Sequence, residues 1–237
     1  MTMTLSAIGY ESSGLALTGY LADRAGQGRK PGILVAHEAP GLNDHIKQWT
    51  EDLAKLGYVA FAIDLYGNEG LSMDQARELN SELMSTPGLL FERANAGFQT
   101  LIAQSNVDAS RLAVIGFCQG AMTALELARG GAPLSCIVGI HPGLMRPAGS
   151  VDGTIKSKVL MMVGDKDPVS PPELRAQFAS EMDAMGVDWQ MRIFGGVGHS
   201  YTNPGIDSFC MEGFAYDALA HKRSWELMRS MLEESLC

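Results

Sequence analysis

The stretch Arg111 to Arg129, RLAVIGFCQGAMTALELAR, constrains the fold more than any other part of the chain. Leu112 to Ile115 is apolar and partly β-branched, as suits a strand buried on both faces, and Ala121 to Ala128 is rich in strong helix formers. Between them stands Gly116-Phe117-Cys118-Gln119-Gly120. A chain passing from buried strand to helix over so few residues reverses sharply. Side chains at positions 116 and 120 would then collide with neighbouring backbone, and Cys118 takes the strained tip. The pattern G-x-C-x-G is the cysteine form of the G-x-S-x-G nucleophile elbow. Backbone N–H groups at the helix start, beginning with Gln119, lack intrahelical partners and carry partial positive charge, so a thiolate or oxyanion is favoured there. The plain alternative is a buried, inert cysteine, a common fate for that residue.

The rest of the chain supplies the sheet into which such an elbow fits. Thr4 to Tyr10 and Leu15 to Leu21, separated by Glu11-Ser12-Ser13-Gly14, predict an antiparallel hairpin, followed by a loop over Asp23 to Gly32. Ile33 to Ala36 predicts a short strand running into His37-Glu38-Ala39-Pro40-Gly41. Asn43 or Asp44 caps a helix with apolar positions Ile46, Trp49, Leu53 and Leu56, ended by Gly57. Tyr58 to Ile63, Cys136 to Ile140, Lys158 to Val163 and Trp189 to Phe194 are further strands. Helices are expected around Met73 to Met84, over Leu89 to Gln104, from Pro171 to Met185 and from His221 to Ser235. Strand and helix alternate throughout, which predicts an α/β fold with a mostly parallel, twisted sheet of about eight strands and helices on both faces.

The length of 237 residues suits a single domain spanning 1–237, and no linker divides it. A net charge of −9, with no dense run among the 18 Lys and Arg residues, argues against nucleic acid and anionic membrane as partners. No apolar run reaches the length of a membrane span and no secretory leader pattern opens the sequence, so a cytoplasmic location is expected. The four cysteines, 118, 136, 210 and 237, form no CxxC or Cys/His spacing, and His37, His141 and His221 lack ligand spacing. Neither a metal nor any other cofactor is expected. The 14 methionines read as core filling.

Three polar groups follow three strands in the order Cys118, Asp167, His199, the order of nucleophile, acid and base on α/β-hydrolase sheets. His199 would take the thiol proton and return it to the leaving group, while Asp167 fixes the imidazole tautomer. Asp165 is the rival acid, although the G-x-x-D spacing before Pro168 favours Asp167. A surface His199 and a helix-capping Asp167 are the plain alternatives.

Val35-Ala36-His37-Glu38, Asp64-Leu65-Tyr66, Gly116 to Gly120, Gly164 to Asp167 and Gly198-His199-Ser200 together resemble the dienelactone hydrolase family over nearly the whole chain. The resemblance implies a single-domain α/β-hydrolase that uses a Cys118, Asp167 and His199 triad, without metal or cofactor, on a small-molecule ester or lactone. It implies a monomer by default, with a homodimer open. It also assigns Glu38 the task of holding the resting thiol and taking up its proton; an exposed loop carboxylate is the alternative. The oxyanion hole would use the backbone N–H of Gln119 and that of Ala39. Tyr66 would line the pocket or pack beneath its cover, and Tyr201 would sit on the substrate side.

One departure bears on the substrate. Where the family's dienelactone-cleaving members place an arginine that grips a carboxylate, this chain has Asn203 in His199-Ser200-Tyr201-Thr202-Asn203. Arg77 is a candidate for a second carboxylate contact, or else a solvated helix residue. An ester or lactone other than the anionic dienelactone is therefore expected. Two rivals to hydrolysis remain: a redox-sensing or ligand-binding protein that uses Cys118 without cleaving esters, and a nucleotide-binding domain. Neither G-x-G-x-x-G after the first strand nor a P-loop motif supports the latter.

Overall fold

A computed structural model describes residues 3–24, 26 and 28–237. Ala25 and Gln27, within the loop expected over Asp23 to Gly32, lie outside the described residues, as do Met1 and Thr2. Eight strands form one sheet: β1 (Met3–Ser12), β2 (Leu15–Arg24), β3 (Lys30–Ala36), β4 (Val59–Ile63), β5 (Val107–Phe117), β6 (Cys136–Ile140), β7 (Lys158–Gly164) and β8 (Trp189–Phe194), in the order β1-β2-β4-β3-β5-β6-β7-β8. The β1–β2 hairpin pairs antiparallel, β2 pairs antiparallel with β4, and every later pairing is parallel.

Six helices cover the sheet: α1 (Asp44–Lys55), α2 (Met73–Ser85), α3 (Leu89–Ile102), α4 (Gln119–Arg129), α5 (Pro172–Met185) and α6 (Ala218–Leu236). Successive side chains of a strand face opposite ways, and β3 and β5 divide accordingly. Leu34, Leu112 and Val114 join the core beneath α2 to α5, whereas Ile33, Val35, Ile115 and Phe117 join the one beneath α1 and α6. Sheets buried on both faces carry near-continuous apolar strands, which is why β4 and β6 show no polar alternation. Asn43, not Asp44, caps α1, its side chain accepting from the Ile46 N–H. A Ser72–Gln75 capping box opens α2, and Gly186 in left-handed backbone closes α5.

The strands extend beyond the apolar cores that mark them in sequence. β5 begins five residues before Leu112, with Lys30 and Pro31 of β3 pairing Val107 and Asp108 before a register shift at Pro31/Gly32. β2 likewise runs on to Arg24 opposite Met3. Ladder pairing with a neighbour, not apolar content, holds these polar ends. Among the described residues, no helix is long and apolar enough to cross a membrane.

Candidate active site

The C-terminal ends of β3, β5, β7 and β8 deliver the site. At the end of β5, Cys118 adopts φ 52° and ψ −114°, a conformation that costs an L residue energy and persists because its surroundings fix it. The Cys118 N–H donates to the Ile140 carbonyl at 3.1 Å, and the Cys118 carbonyl accepts from Gly143 at 2.9 Å and Ala121 at 3.1 Å. The flanking glycines make the turn sterically possible. A Cβ on Gly116 would lie 2.0 Å from the Gly120 carbonyl oxygen, and one on Gly120 would lie 2.2 Å from that of Ala36. Cys118 is half-buried at the N-terminus of α4.

Asp167 and His199 meet behind it. His199 Nδ1 donates to Asp167 Oδ2 at 2.7 Å, both side chains being fully buried. The other oxygen, Oδ1, accepts from the N–H groups of Val169 (2.8 Å) and Ser170 (3.2 Å), which fixes the carboxylate plane. Asp165 instead points outward and pairs with Lys166. With Nδ1 committed, His199 presents Nε2 as its free nitrogen, which makes no hydrogen bond. Burial opposes a charge on this imidazole, but the attraction exerted by the Cys118 sulfur and the hydrogen bond donated to Asp167 outweigh it and push its pKa up to about 10.

The loop after β3 carries Glu38, nearly inaccessible to solvent. His37 anchors this loop: its Nε2 accepts from the Leu65 N–H at 3.1 Å, so Nδ1 carries the proton and donates to the Glu38 carbonyl at 2.7 Å. Glu38 Oε2 accepts from Asn203 Nδ2 at 3.3 Å, and Oε1 lies 3.5 Å from His141 Nε2 and 3.8 Å from His45 Nε2. Burial pushes the Glu38 pKa up to about 7, against the opposing pull of His199 and Asn203. The carboxyl makes no hydrogen bond to Cys118, so the expected hold on the resting thiol is not present in this geometry; Asn203, His141 and His45 surround it instead.

The backbone N–H groups of Gln119 and Ala39 make no hydrogen bond among the described residues. Tyr66 is buried beneath them, its hydroxyl 3.1 Å from the Ala39 carbonyl and 3.0 Å from Gln119 Oε1, so it ties together the two segments that present those donors.

Two expected substrate contacts lie elsewhere. Tyr201 is turned into the core, its hydroxyl 3.2 Å from the Met162 carbonyl and 2.9 Å from Ser224 Oγ. It follows His199 by two residues, and the strand-like alternation that sends His199 to the site does not hold through Ser200, which has φ 51°. Arg77 is exposed on α2 and pairs with Asp74 at 3.4 Å, so it is a solvated helix residue. Asn203 is at the site and also borders a cleft of about 680 Å³ between α1 and α6, lined by Trp49, Trp225, Phe209 and His45. Cys118 is not part of that cleft's lining. His45, His141 and Thr202 were not marked by sequence as site residues; only His141's place at the end of a strand offers a signal. No group of three or more His, Cys, Asp or Glu side chains suited to a metal ion occurs among the described residues.

The family model of the dienelactone hydrolase family matches residues 17–236. The chain belongs to this family. It is a carboxylic ester or lactone hydrolase with a single-domain α/β-hydrolase fold. A solved structure described as a dienelactone hydrolase-like promiscuous phosphotriesterase from metagenomic libraries is 35% identical, with a TM-score of 0.93 and 100% of each chain covered. Another, described as m3DLH, is 39% identical with a TM-score of 0.94, again over 100% of both chains. A Bradyrhizobium protein bearing the name "Probable 2-oxo-3-(5-oxofuran-2-ylidene)propanoate lactonase" is 28% identical over 100% of this chain and 96% of its own length.

Proposed function

We propose that this hydrolase cleaves a carboxylic ester or lactone through Cys118, His199 and Asp167 by way of an acyl-cysteine. The observation that carries the reading is the buried Asp167–His199 pair, which commits Nδ1 and leaves Nε2 without a partner in the fold, together with the strained, half-buried Cys118 at the N-terminus of α4. The Cys118 proton passes to His199, and the thiolate sulfur bonds to the substrate's acyl carbon. The resulting oxyanion is held by the N–H groups of Gln119 and Ala39. Collapse breaks the acyl C–O bond, and the leaving alkoxide takes the proton from His199 Nε2. A water then gives a proton to Nε2 and attacks the thioester; the tetrahedral adduct releases the acid, and the proton returns to Cys118. Glu38 serves as a second proton acceptor for the thiol as substrate arrives, a role supported by its burial and its pKa near neutrality.

A neutral ester or lactone is the proposed substrate. Asn203 supplies an amide where an arginine would supply a charged fork, and its Nδ2 already serves Glu38. The adjoining cleft is aromatic and carries Asp44 and Asp52 at its edges, with neither Lys nor Arg among its lining residues. The same nucleophile and oxyanion donors suit attack at phosphorus, the activity named for the 35% identical metagenomic relative, so an activated phosphotriester is the secondary substrate to assay. The deciding experiment compares wild type and Cys118→Ala on 4-nitrophenyl acetate. Loss of at least about a thousandfold in kcat with unchanged circular dichroism is expected, and retained turnover overturns the assignment.

A further inference from the structure

Behind Glu38 lies a buried polar cluster drawn from three segments. Thr202 Oγ1 is 2.8 Å from His141 Nε2 and 3.4 Å from His45 Nε2, and both Thr202 and His141 are fully buried. One hydroxyl proton therefore stands between two imidazole nitrogens. His141 Nδ1 is buried and meets no acceptor on another residue among the described residues; the backbone of His141 itself is its one polar neighbour. A proton on Nδ1 would be a buried donor without an acceptor on another residue, which costs more than a bare lone pair. That cost, and the short 2.8 Å approach of Thr202 Oγ1, favour a proton on Nε2 donated to Thr202, whose own proton is then free for His45. Glu38 Oε1 is 3.5 Å from the same Nε2 and receives nothing from it; that oxygen makes no hydrogen bond at all.

We propose that Thr202 is a positioning residue for hydrolysis: by engaging the Nε2 proton of His141, it withholds from Glu38 a hydrogen bond that would lock that side chain in its ionised form. Glu38 thus remains able to take up and release a proton. This rests on the reading of Glu38 as a proton acceptor for Cys118. Three titratable groups face the carboxyl: His45 from α1, His141 from the segment after β6 and His199 from the segment after β8, with the neutral amide of Asn203 beside them. Burial keeps His45 and His141 uncharged, His45 down at about 4 and His141 well below the ordinary imidazole value, so of the three only His199 draws the carboxyl towards its ionised form by charge, and burial of Glu38 outweighs that pull.

The test is the pH profile of kcat/KM for 4-nitrophenyl acetate in wild type, Thr202→Val, Thr202→Ser and Glu38→Gln. Valine keeps the shape but frees the His141 proton for Glu38. Its acid limb is expected to move down by about one pH unit, the scale of one added hydrogen bond to a buried carboxylate, while Thr202→Ser overlays wild type. Should Thr202→Val overlay wild type or shift upward while Glu38→Gln removes the limb, the role of Thr202 is refuted and that of Glu38 stands. A limb unmoved in Glu38→Gln instead refutes the reading of Glu38. If Thr202→Val does not fold, ¹⁵N NMR of the wild-type histidines decides, since a proton on Nδ1 of His141 is incompatible with the proposal.

Discussion

Replacing Glu38 by glutamine should make the protein more stable at alkaline pH, although it removes a group from the active site. Glu38 is 1% exposed, and burial raises its pKa from 4.5 to about 7. A carboxyl whose pKa is higher in the folded chain holds its proton more tightly there. The unfolded chain loses that proton first as pH rises, and the fold weakens between 4.5 and about 7. That interval corresponds to roughly 3 kcal/mol, fully lost above the folded pKa. Glutamine mimics the protonated form at all pH values, and its carbonyl oxygen can still accept from Asn203 Nδ2. At pH 5, Glu38→Gln and wild type should therefore unfold within about 1 kcal/mol of each other. At pH 8.5 the variant should be more stable by about 2–3 kcal/mol, or roughly 4–10 °C in Tm for a chain of this size. His199, raised in both proteins, contributes stability that is complete below 6.5 and lost towards about 10, so comparing the proteins at each pH removes most of its effect. Thermal and urea melts at the two pH values provide the assay. A difference in stability that does not change with pH, or a variant less stable at pH 8.5, would falsify the claim that burial governs this carboxyl.

Asp167→Asn should lower esterase kcat by about three to four orders of magnitude by releasing the imidazole tautomer. Esterase kcat retained in Asp167→Asn would overturn the role given to this carboxylate. Iodoacetamide should label Cys118 before Cys136, which is buried with its pKa pushed up to about 11, and also before the exposed Cys210 and Cys237, which have no His199 beside them; mass-spectrometric mapping that finds Cys237 first would count against an activated thiol. Asn203→Arg should raise kcat/KM for an anionic dienelactone relative to short neutral esters by roughly ten- to a hundredfold. A wild type that already prefers the dienelactone, with no response to the substitution, means that a carboxylate is held elsewhere.

The parts of the site visible in sequence are those that local sterics or strand ends dictate. Gly116 and Gly120 announce the elbow because no side chain fits there, the nearest backbone atoms standing 2.0 and 2.2 Å from an added Cβ. Cys118, Asp167, His199 and Glu38 follow strands, and a parallel sheet gathers the ends of its strands on one edge, so their assembly needed only the topology. Tyr201 was misplaced because positive φ at Ser200 breaks the alternation on which its direction depends. Arg77 had only its place between Asp64 and the elbow to recommend it, and a charged residue on an exposed helix face is best served by water. The extent of β5 is hidden in sequence because Asp108 and Ser110 are polar and turn-favouring, yet they continue the strand that β3 joins at Val107.

The surroundings of Glu38 were illegible for a different reason. His45, His141 and Thr202 come from three segments, His45 and Thr202 lying 157 positions apart and His141 and Thr202 61 positions apart, so no spacing relates them. Each is polar, and pattern alone assigns a polar side chain to the surface unless a motif claims it. Their effect on chemistry also depends on burial: exposed imidazoles would titrate near 6.5 and hold Glu38 ionised by charge in mild acid, whereas His45 and His141, buried without a carboxylate partner like that of His199, stay neutral and act only through where each proton points. The proposed triad is thus a matter of which residues stand at the strand ends. The protonation of the glutamate beside it depends on which of two oxygens, Thr202 Oγ1 at 2.8 Å or Glu38 Oε1 at 3.5 Å, receives a single proton from His141.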